Sequence, residues 1–108
     1  MTKSLELVTT LQEKDGDYVL SIAGELSQLS LKKDYWLALN KQDKDALIQK
    51  KQLVVDLSKV QRADSAGLAW LLNLKRDLNA HTINATICHS PEKLINLARL
   101  SNTEALLA

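Results

Sequence analysis

The sequence is poor in the residues that build covalent and metal sites. Among its 108 residues Cys88 is the single cysteine, which excludes an internal disulfide and indicates a reducing, cytoplasmic setting. No group of cysteine and histidine has the spacing of a zinc site, because we expect His81 and His89 to be isolated from any other likely ligand. We therefore predict no metal and no cofactor.

Long apolar runs and an excess of one charge are also missing. The longest apolar run, at residues 68–72, is far shorter than the ~20 residues of a membrane span. The N-terminus lacks the basic-then-apolar order of a signal peptide, so we expect any membrane association to come through a partner. Fourteen basic and thirteen acidic residues give a net charge of +1, which disfavours nucleic-acid binding.

Aliphatic rather than aromatic residues supply most of the hydrophobic side chains. Leucine accounts for 22 of the 108 residues, whereas the chain has two Trp, two Tyr and no Phe. A hydrophobic share of 45% with 25% charged residues is typical of one soluble globular domain spanning residues 1–108. The interior is expected to be packed mainly by leucine.

The hydrophobic pattern predicts the element order β-β-α-β-α-β-α. Two strands join at the turn residues 15–17, and a helix capped by Ser27 or Ser30 contains Leu29, Trp36 and Leu39. Residues 40–52 fit either a continuation of that helix or a separate turn begun by Asp43. Both alternatives stay open.

The second half of the chain gives clearer signals. A buried strand is predicted at residues 53–57, a connection at 58–63, and a helix from Asp64 to about Asn79. Residues 82–88 form another strand, and Pro91 suits the first turn of a helix over residues 92–100. We expect an α/β fold with a mixed sheet of about four strands packed by about three to four helices.

The central helix has a wider apolar face than one core requires. Its apolar side chains span roughly 200°, about twice the ~100° stripe of a helix packed on a single core. One set is the expected core stripe and comprises Gly67, Leu71, Leu74 and Leu78. An adjoining set is a candidate docking surface and comprises Ser65, Leu68, Ala69, Leu72 and Arg76. The alternative is a helix buried on two sides within its own domain.

Ser65, at the start of this helix, has three candidate roles. Its hydroxyl or the Asp64 carboxylate can cap the helix, its hydroxyl can be phosphorylated, or its side chain can contact a partner. Catalysis is not predicted, since no nucleophile motif is present. The carboxylates of Asp56 and Asp64 can approach one another across the intervening loop, but such residues more often cap loops and helices.

Three segments together resemble the STAS domain that anti-sigma-factor antagonists and sulfate-transporter tails share. They are Ile22-Ala23-Gly24-Glu25-Leu26, Val55-Asp56-Leu57-Ser58-Lys59-Val60 and Ala63-Asp64-Ser65-Ala66-Gly67-Leu68. The most specific part is the strand ending Asp-Leu-Ser followed by Asp-Ser-x-Gly-Leu. The resemblance covers nearly the whole chain and implies a STAS fold with Asp56, Asp64 and Gly67 as motif residues.

Two further segments resemble one branch of that family. Residues 68–74 and 96–102 are similar to the small cytoplasmic STAS subunit of Mla-type phospholipid ABC transporters of Gram-negative bacteria, which carries Thr or Ser at the position of Ser65. The resemblance implies a non-catalytic subunit that binds the transporter's ATPase through the Ser65 face, and through it the permease, at the inner membrane. It also implies a role in moving phospholipid between the two membranes and in outer-membrane lipid asymmetry.

The runner-up is an anti-sigma-factor antagonist. For that class the resemblance implies that a partner kinase phosphorylates Ser65 and that the unphosphorylated form binds. Antagonists usually read Asp-Ser-Ser-Gly or Asp-Ser-Thr-Gly after a hydrophobic pair. Ala66 and the preceding Arg62-Ala63 depart from that pattern.

Overall fold

Four strands form one mixed sheet in the computed structural model, which describes residues 7–27 and 35–107. The strands are β1 (Leu7–Lys14), β2 (Asp17–Leu26), β3 (Gln52–Ala63) and β4 (Asn84–Cys88), and their order in the sheet follows the chain. β1 and β2 are antiparallel, whereas β2 with β3 and β3 with β4 are parallel. The predicted mixed α/β sheet is confirmed.

Over residues 35–107, four helices connect or follow these strands. They are α1 (Tyr35–Ala38), α2 (Lys41–Lys50), α3 (Ser65–Ala80) and α4 (Glu92–Leu100), and a short 3₁₀ turn (Glu104–Leu107) follows α4. Within the two described ranges, no helix is long and apolar enough to cross a membrane.

The turn between β1 and β2 is set by Asp15 and Gly16. Both have positive φ angles, 52° and 85°, and Lys14 pairs with Asp17 on either side of them. A two-residue turn with positive φ at both positions matches the right-handed twist of the strands, and Asp-Gly is a favoured sequence for it. The predicted hairpin is confirmed.

The core lies between one face of the sheet and α3. Alternate residues of the strands are buried, among them Leu20 and Ile22 of β2 and Val55 of β3. The expected core stripe of α3 is buried with them, namely Gly67, Leu71, Leu74 and Leu78. Since side chains alternate along a strand, the half-buried Ser21, Asp56 and Cys88 point to the opposite face of the sheet.

β3 is longer than predicted. Residues 58–63, expected as a connection, continue the strand and pair with β2 as far as Leu26 opposite Ala63. The segment is largely polar and exposed. It pairs only with β2, because β4 ends where Asp56 pairs with Cys88. Backbone pairing holds it in the sheet without an apolar pattern.

Residues 41–50 form a helix of their own. Asn40 caps α2, since its Oδ1 accepts a hydrogen bond of 2.7 Å from the backbone N–H of Asp43. The alternative of a separate element is therefore correct, although Asn40 rather than Asp43 begins it. Of the first predicted helix, Leu29 and Ser30 lie outside the described residues.

Two boundaries in the second half differ from prediction. β4 begins at Asn84 rather than Thr82, because Thr82 has a left-handed φ of 61° and the Ile83 N–H donates to the Leu78 carbonyl of α3. Pro91 is the N-cap of α4 and precedes its first turn. The extent of α4 is as predicted.

Candidate functional site

The N-terminus of α3 is capped by Asp64. The carboxylate Oδ1 of Asp64 accepts a hydrogen bond of 3.0 Å from the backbone N–H of Gly67. Of the two groups predicted to cap this helix, the Asp64 carboxylate and the Ser65 hydroxyl, the carboxylate is the cap. The Ser65 side chain is exposed beside it.

Gly67 lets the start of α3 lie directly against the end of β2. A Cβ atom at Gly67 would be 2.0 Å from the Leu26 carbonyl oxygen, far inside van der Waals contact. The same oxygen accepts a hydrogen bond of 3.1 Å from the Asp64 N–H. The backbones of β2 and α3 therefore fix where Ser65 is presented.

An exposed stripe runs along α3 from this end. Ser65, Ala69 and Arg76 are exposed and Leu72 is half-buried, and their helical spacing places them on one face. These four residues are called the α3 stripe below. Leu68, predicted to belong with them, is only 5% exposed and lies in the core cluster, so in this chain it does not line the stripe.

A cleft adjoins the C-terminal part of the stripe. Its volume is about 390 Å³, and it shares Leu72 and Arg76 with the stripe. The other lining residues are Lys75, Asn79, Ile83, Asn84 and Ala85. The side chains of Lys75 and Arg76, the latter with Nε 4.0 Å from Asp77 Oδ1, lie beside apolar Leu72, Ile83 and Ala85. This mixture favours a ligand group that is itself acidic and flanked by apolar atoms.

Glu25 lies at the same end of the sheet as Ser65. It is 4% exposed, accepts a hydrogen bond at Oε2 from the Ser27 hydroxyl, and has Arg62 Nε 3.8 Å from Oε1. These two partners offset the cost of burying the Glu25 carboxylate, since an unpaired buried charge is costly.

Asp56 and Asp64 are not brought together. Asp56 lies within β3 and Asp64 follows the end of that strand, so the extended backbone between them, shortened by two bulges, spans roughly 20 Å. The predicted approach of the two carboxylates is wrong, because residues 58–63 continue the strand instead of looping back. A paired acid and base at these positions is excluded by that separation.

Asp56 instead meets His89, which sequence reasoning left isolated. Asp56 Oδ1 accepts from the Ser58 N–H at 2.9 Å and lies 3.0 Å from His89 Nδ1. The Ser58 backbone hydrogen bond, with further help from the Ser58 and His89 side chains, lowers the pKa of Asp56. Burial and the nearby Asp56 charge raise the pKa of the Cys88 thiol. His89 is therefore not isolated from other likely ligands, and that expectation is wrong.

The two tryptophans pack within the domain. Trp70 is 6% exposed and meets the Tyr35 ring edge-on, with the ring centroids 6.3 Å apart. Trp36 stacks on His81 at 4.5 Å. These ring contacts hold α1 along α3, and neither indole belongs to the α3 stripe.

Residues 9–108 match the model of the STAS_2 family, described as "Mlab, STAS domain". The chain therefore belongs to the STAS domain family. Within that family, the match identifies it as a STAS domain protein of the MlaB type. No curated protein sequence matches the chain.

Solved structures of two anti-sigma factor antagonists share the fold. One, from Mycobacterium paratuberculosis, has a TM-score of 0.60 and 19% identity, over 98% of this chain and 86% of that chain. The other is SpoIIAA in its unphosphorylated form, with a TM-score of 0.55 and 14% identity, over 91% of this chain and 84% of that chain. At these identities the likeness concerns the fold.

Proposed function

We propose that this chain is a non-catalytic subunit that binds and stabilises the ATPase of an Mla-type phospholipid ABC transporter. The family match to MlaB-type STAS domains supports the choice of transporter. The observation that carries the docking surface is the exposed α3 stripe, which begins at Ser65. Through the ATPase the chain joins the permease at the inner membrane.

The stripe has the composition of a helix-docking surface. The small side chains of Ser65 and Ala69 allow a partner helix to approach the α3 backbone closely. Half-buried Leu72 adds apolar area next to them, and exposed Arg76 adds a charge at the rim. Because Asp64 caps the helix, a partner can contact the Ser65 hydroxyl without disturbing the cap.

The cleft beside Leu72 and Arg76 extends this surface toward β4. We expect the ATPase to place an acidic side chain there, close to Lys75 and Arg76. Replacing Arg76 by Glu reverses the charge and should weaken docking, with a smaller loss at high salt because exposed charges are screened.

Affinity purification of the tagged chain from its own cells tests the proposal. Wild type should recover an ABC ATPase and its permease, and Ser65→Arg should lose both, since a bulky charge would be buried in the contact. Thr10→Arg, on exposed β1, is the matched control and should recover both proteins. Thermal unfolding of the three proteins shows whether any loss reflects misfolding. Equal recovery by a folded Ser65→Arg would exclude Ser65 from the interface.

Ser65→Ala distinguishes two uses of the same position. If the partner needs only a small side chain, this variant should recover the ATPase as wild type does. If the hydroxyl accepts or donates a hydrogen bond in the interface, the affinity for the ATPase should fall by roughly tenfold, the effect of losing one ordinary hydrogen bond. Less ATPase should then be recovered.

The exposure of Ser65 favours a second candidate, an anti-sigma-factor antagonist controlled by phosphorylation of Ser65. The helix N-terminus would favour the added negative charge, whereas adjacent Asp64 would oppose it. Recovery of a serine kinase or sigma-factor regulator in the same purification, with phosphate on Ser65, would establish this candidate in place of the transporter subunit.

A further inference from the structure

Three side chains of different chemistry converge at the end of β4. Asp56, Cys88 and His89 each offer a potential metal-ligating atom, and these atoms all lie within 4.8 Å of one another. None of the three belongs to the α3 stripe or to its adjoining cleft.

The fold itself brings these groups together. Asp56 and Cys88 are direct partners in the parallel register of β3 and β4, and both point away from the helix-covered core. His89 follows immediately with a left-handed φ of 58°, and its Nδ1 lies 3.0 Å from Asp56 Oδ1. Asp56 and Cys88 are half-buried, whereas His89 is exposed. The sheet thus fixes the backbone positions of Asp56 and Cys88, whereas the exposed His89 side chain can adjust.

We propose that Asp56, Cys88 and His89 form a binding site for a divalent transition metal of the zinc class. A sulfur, a nitrogen and an oxygen ligand suit Zn²⁺, whereas Mg²⁺ and Ca²⁺ prefer oxygen alone. Three protein ligands leave one tetrahedral position, which water fills. When the metal–sulfur bond forms, the Cys88 thiol gives its proton to solvent.

The required rearrangement is small. Metal–ligand distances of about 2.0 to 2.3 Å in a tetrahedral site place neighbouring ligand atoms roughly 3.3 to 3.8 Å apart. The two ligand atoms that lie farthest apart, at up to 4.8 Å, must therefore approach one another by up to about 1 Å. Because Asp56 Oδ1 and His89 Nδ1 are already 3.0 Å apart, rotations of the Cys88 and His89 side chains supply this movement, and the Asp56–His89 hydrogen bond then gives way to shared ligation.

The test is titration of the untagged full chain with Co²⁺ and with Zn²⁺. Binding of one Co²⁺ should produce tetrahedral d–d bands and a sulfur-to-cobalt charge-transfer band, and Zn²⁺ should displace it. Cys88→Ser should abolish the charge-transfer band. His89→Gln and Asp56→Asn should each weaken Zn²⁺ binding at least about tenfold, because changing even a residue that only orients a metal ligand costs about 10- to 100-fold.

His81→Gln is the matched control, since His81 is the other histidine, stacks on Trp36 and precedes the start of β4, whereas the cluster lies at the end of that strand. It should bind the metal as wild type does. Circular dichroism verifies that every variant is folded. A charge-transfer band that survives Cys88→Ser, no saturable cobalt binding by wild type, or an equal loss in His81→Gln would each overturn the site. Docking to the ATPase is measured separately, so either proposal can fail alone.

Discussion

Replacing Gly67 by Ala should destabilise the domain, although alanine is the better helix former. In an open helix interior this exchange stabilises by about 1 kcal/mol. At Gly67 the added Cβ would lie 2.0 Å from the Leu26 carbonyl oxygen and 2.7 Å from its carbon. Both atoms belong to the backbone of β2, so no side chain can rotate out of the way.

The magnitude follows from how far α3 must move. The helix and β2 must separate by roughly 1 Å before the contact reaches distances that real Cβ atoms show. Overpacking of this kind costs about 1 to 3 kcal/mol, and losing the Asp64 N–H to Leu26 carbonyl bond costs about 1 more. Subtracting the gain in helix propensity leaves a loss of about 2 kcal/mol.

Urea unfolding followed by circular dichroism measures this loss as a lower midpoint at unchanged slope. Ala69→Gly is the matched control, because Ala69 is exposed in the same helix and should lose only about 1 kcal/mol. An alanine at position 67 that raised the midpoint would refute the close approach of α3 to β2.

Three further changes probe the cap, a buried phenol and the core. In urea unfolding, Asp64→Ala should lower the stability by about 1 kcal/mol, and Asp64→Ser should retain most of the wild-type stability. Equal unfolding midpoints for wild type and both variants would contradict capping by Asp64. Burial, with a smaller contribution from the charge of Asp43, raises the pKa of Tyr35 from 10.0 to about 12. The folded state therefore favours the neutral phenol, and the free energy of unfolding should fall as the pH rises from 10 to 12. Tyr35→Phe should lose less stability across that window, and an unchanged pH dependence would argue against the buried phenol. Leu71→Ala, at a fully buried position, should cost about 2 to 5 kcal/mol, whereas Leu100→Ala, 86% exposed, should change stability by less than about 0.5; similar effects would contradict the core described above.

The central helix was predictable because its signals are local. An Asp one residue before the helix and leucines at helical spacing specify both the start of α3 and its buried side. The exposure of Ser65 and Arg76 follows from the same periodicity. Leu68 shows the limit of this reasoning, since the apolar face widens to include it and only the packing of neighbouring elements decides that it is buried.

The end of β3 was not predictable from side-chain pattern. Residues 58–63 are mostly polar, and backbone hydrogen bonds to β2 rather than apolar contacts keep them in the sheet. Because this strand extends, Asp56 and Asp64 lie far apart. The error in their expected proximity therefore has the same cause as the error in the strand boundary.

The Asp56–Cys88–His89 cluster depends on register between strands distant in sequence. The available signal was Cys88 at the end of a predicted strand with His89 directly after it, but no local feature of the sequence indicates that Asp56 lies opposite Cys88. A one-residue slip in this parallel pairing would turn one side chain to the other face of the sheet. Only the sheet topology brings the three groups together.

Photocross-linking from Ala69 tests the central claim most directly. A photoreactive amino acid at this exposed position in the middle of the α3 stripe, introduced in the native cells, should yield a covalent adduct with an ABC transporter ATPase on irradiation. The same amino acid at Thr10, exposed on β1, should yield none. An ATPase adduct from Thr10 alone, or an adduct from Ala69 with a kinase-like anti-sigma factor, would contradict docking of the transporter ATPase on the α3 stripe.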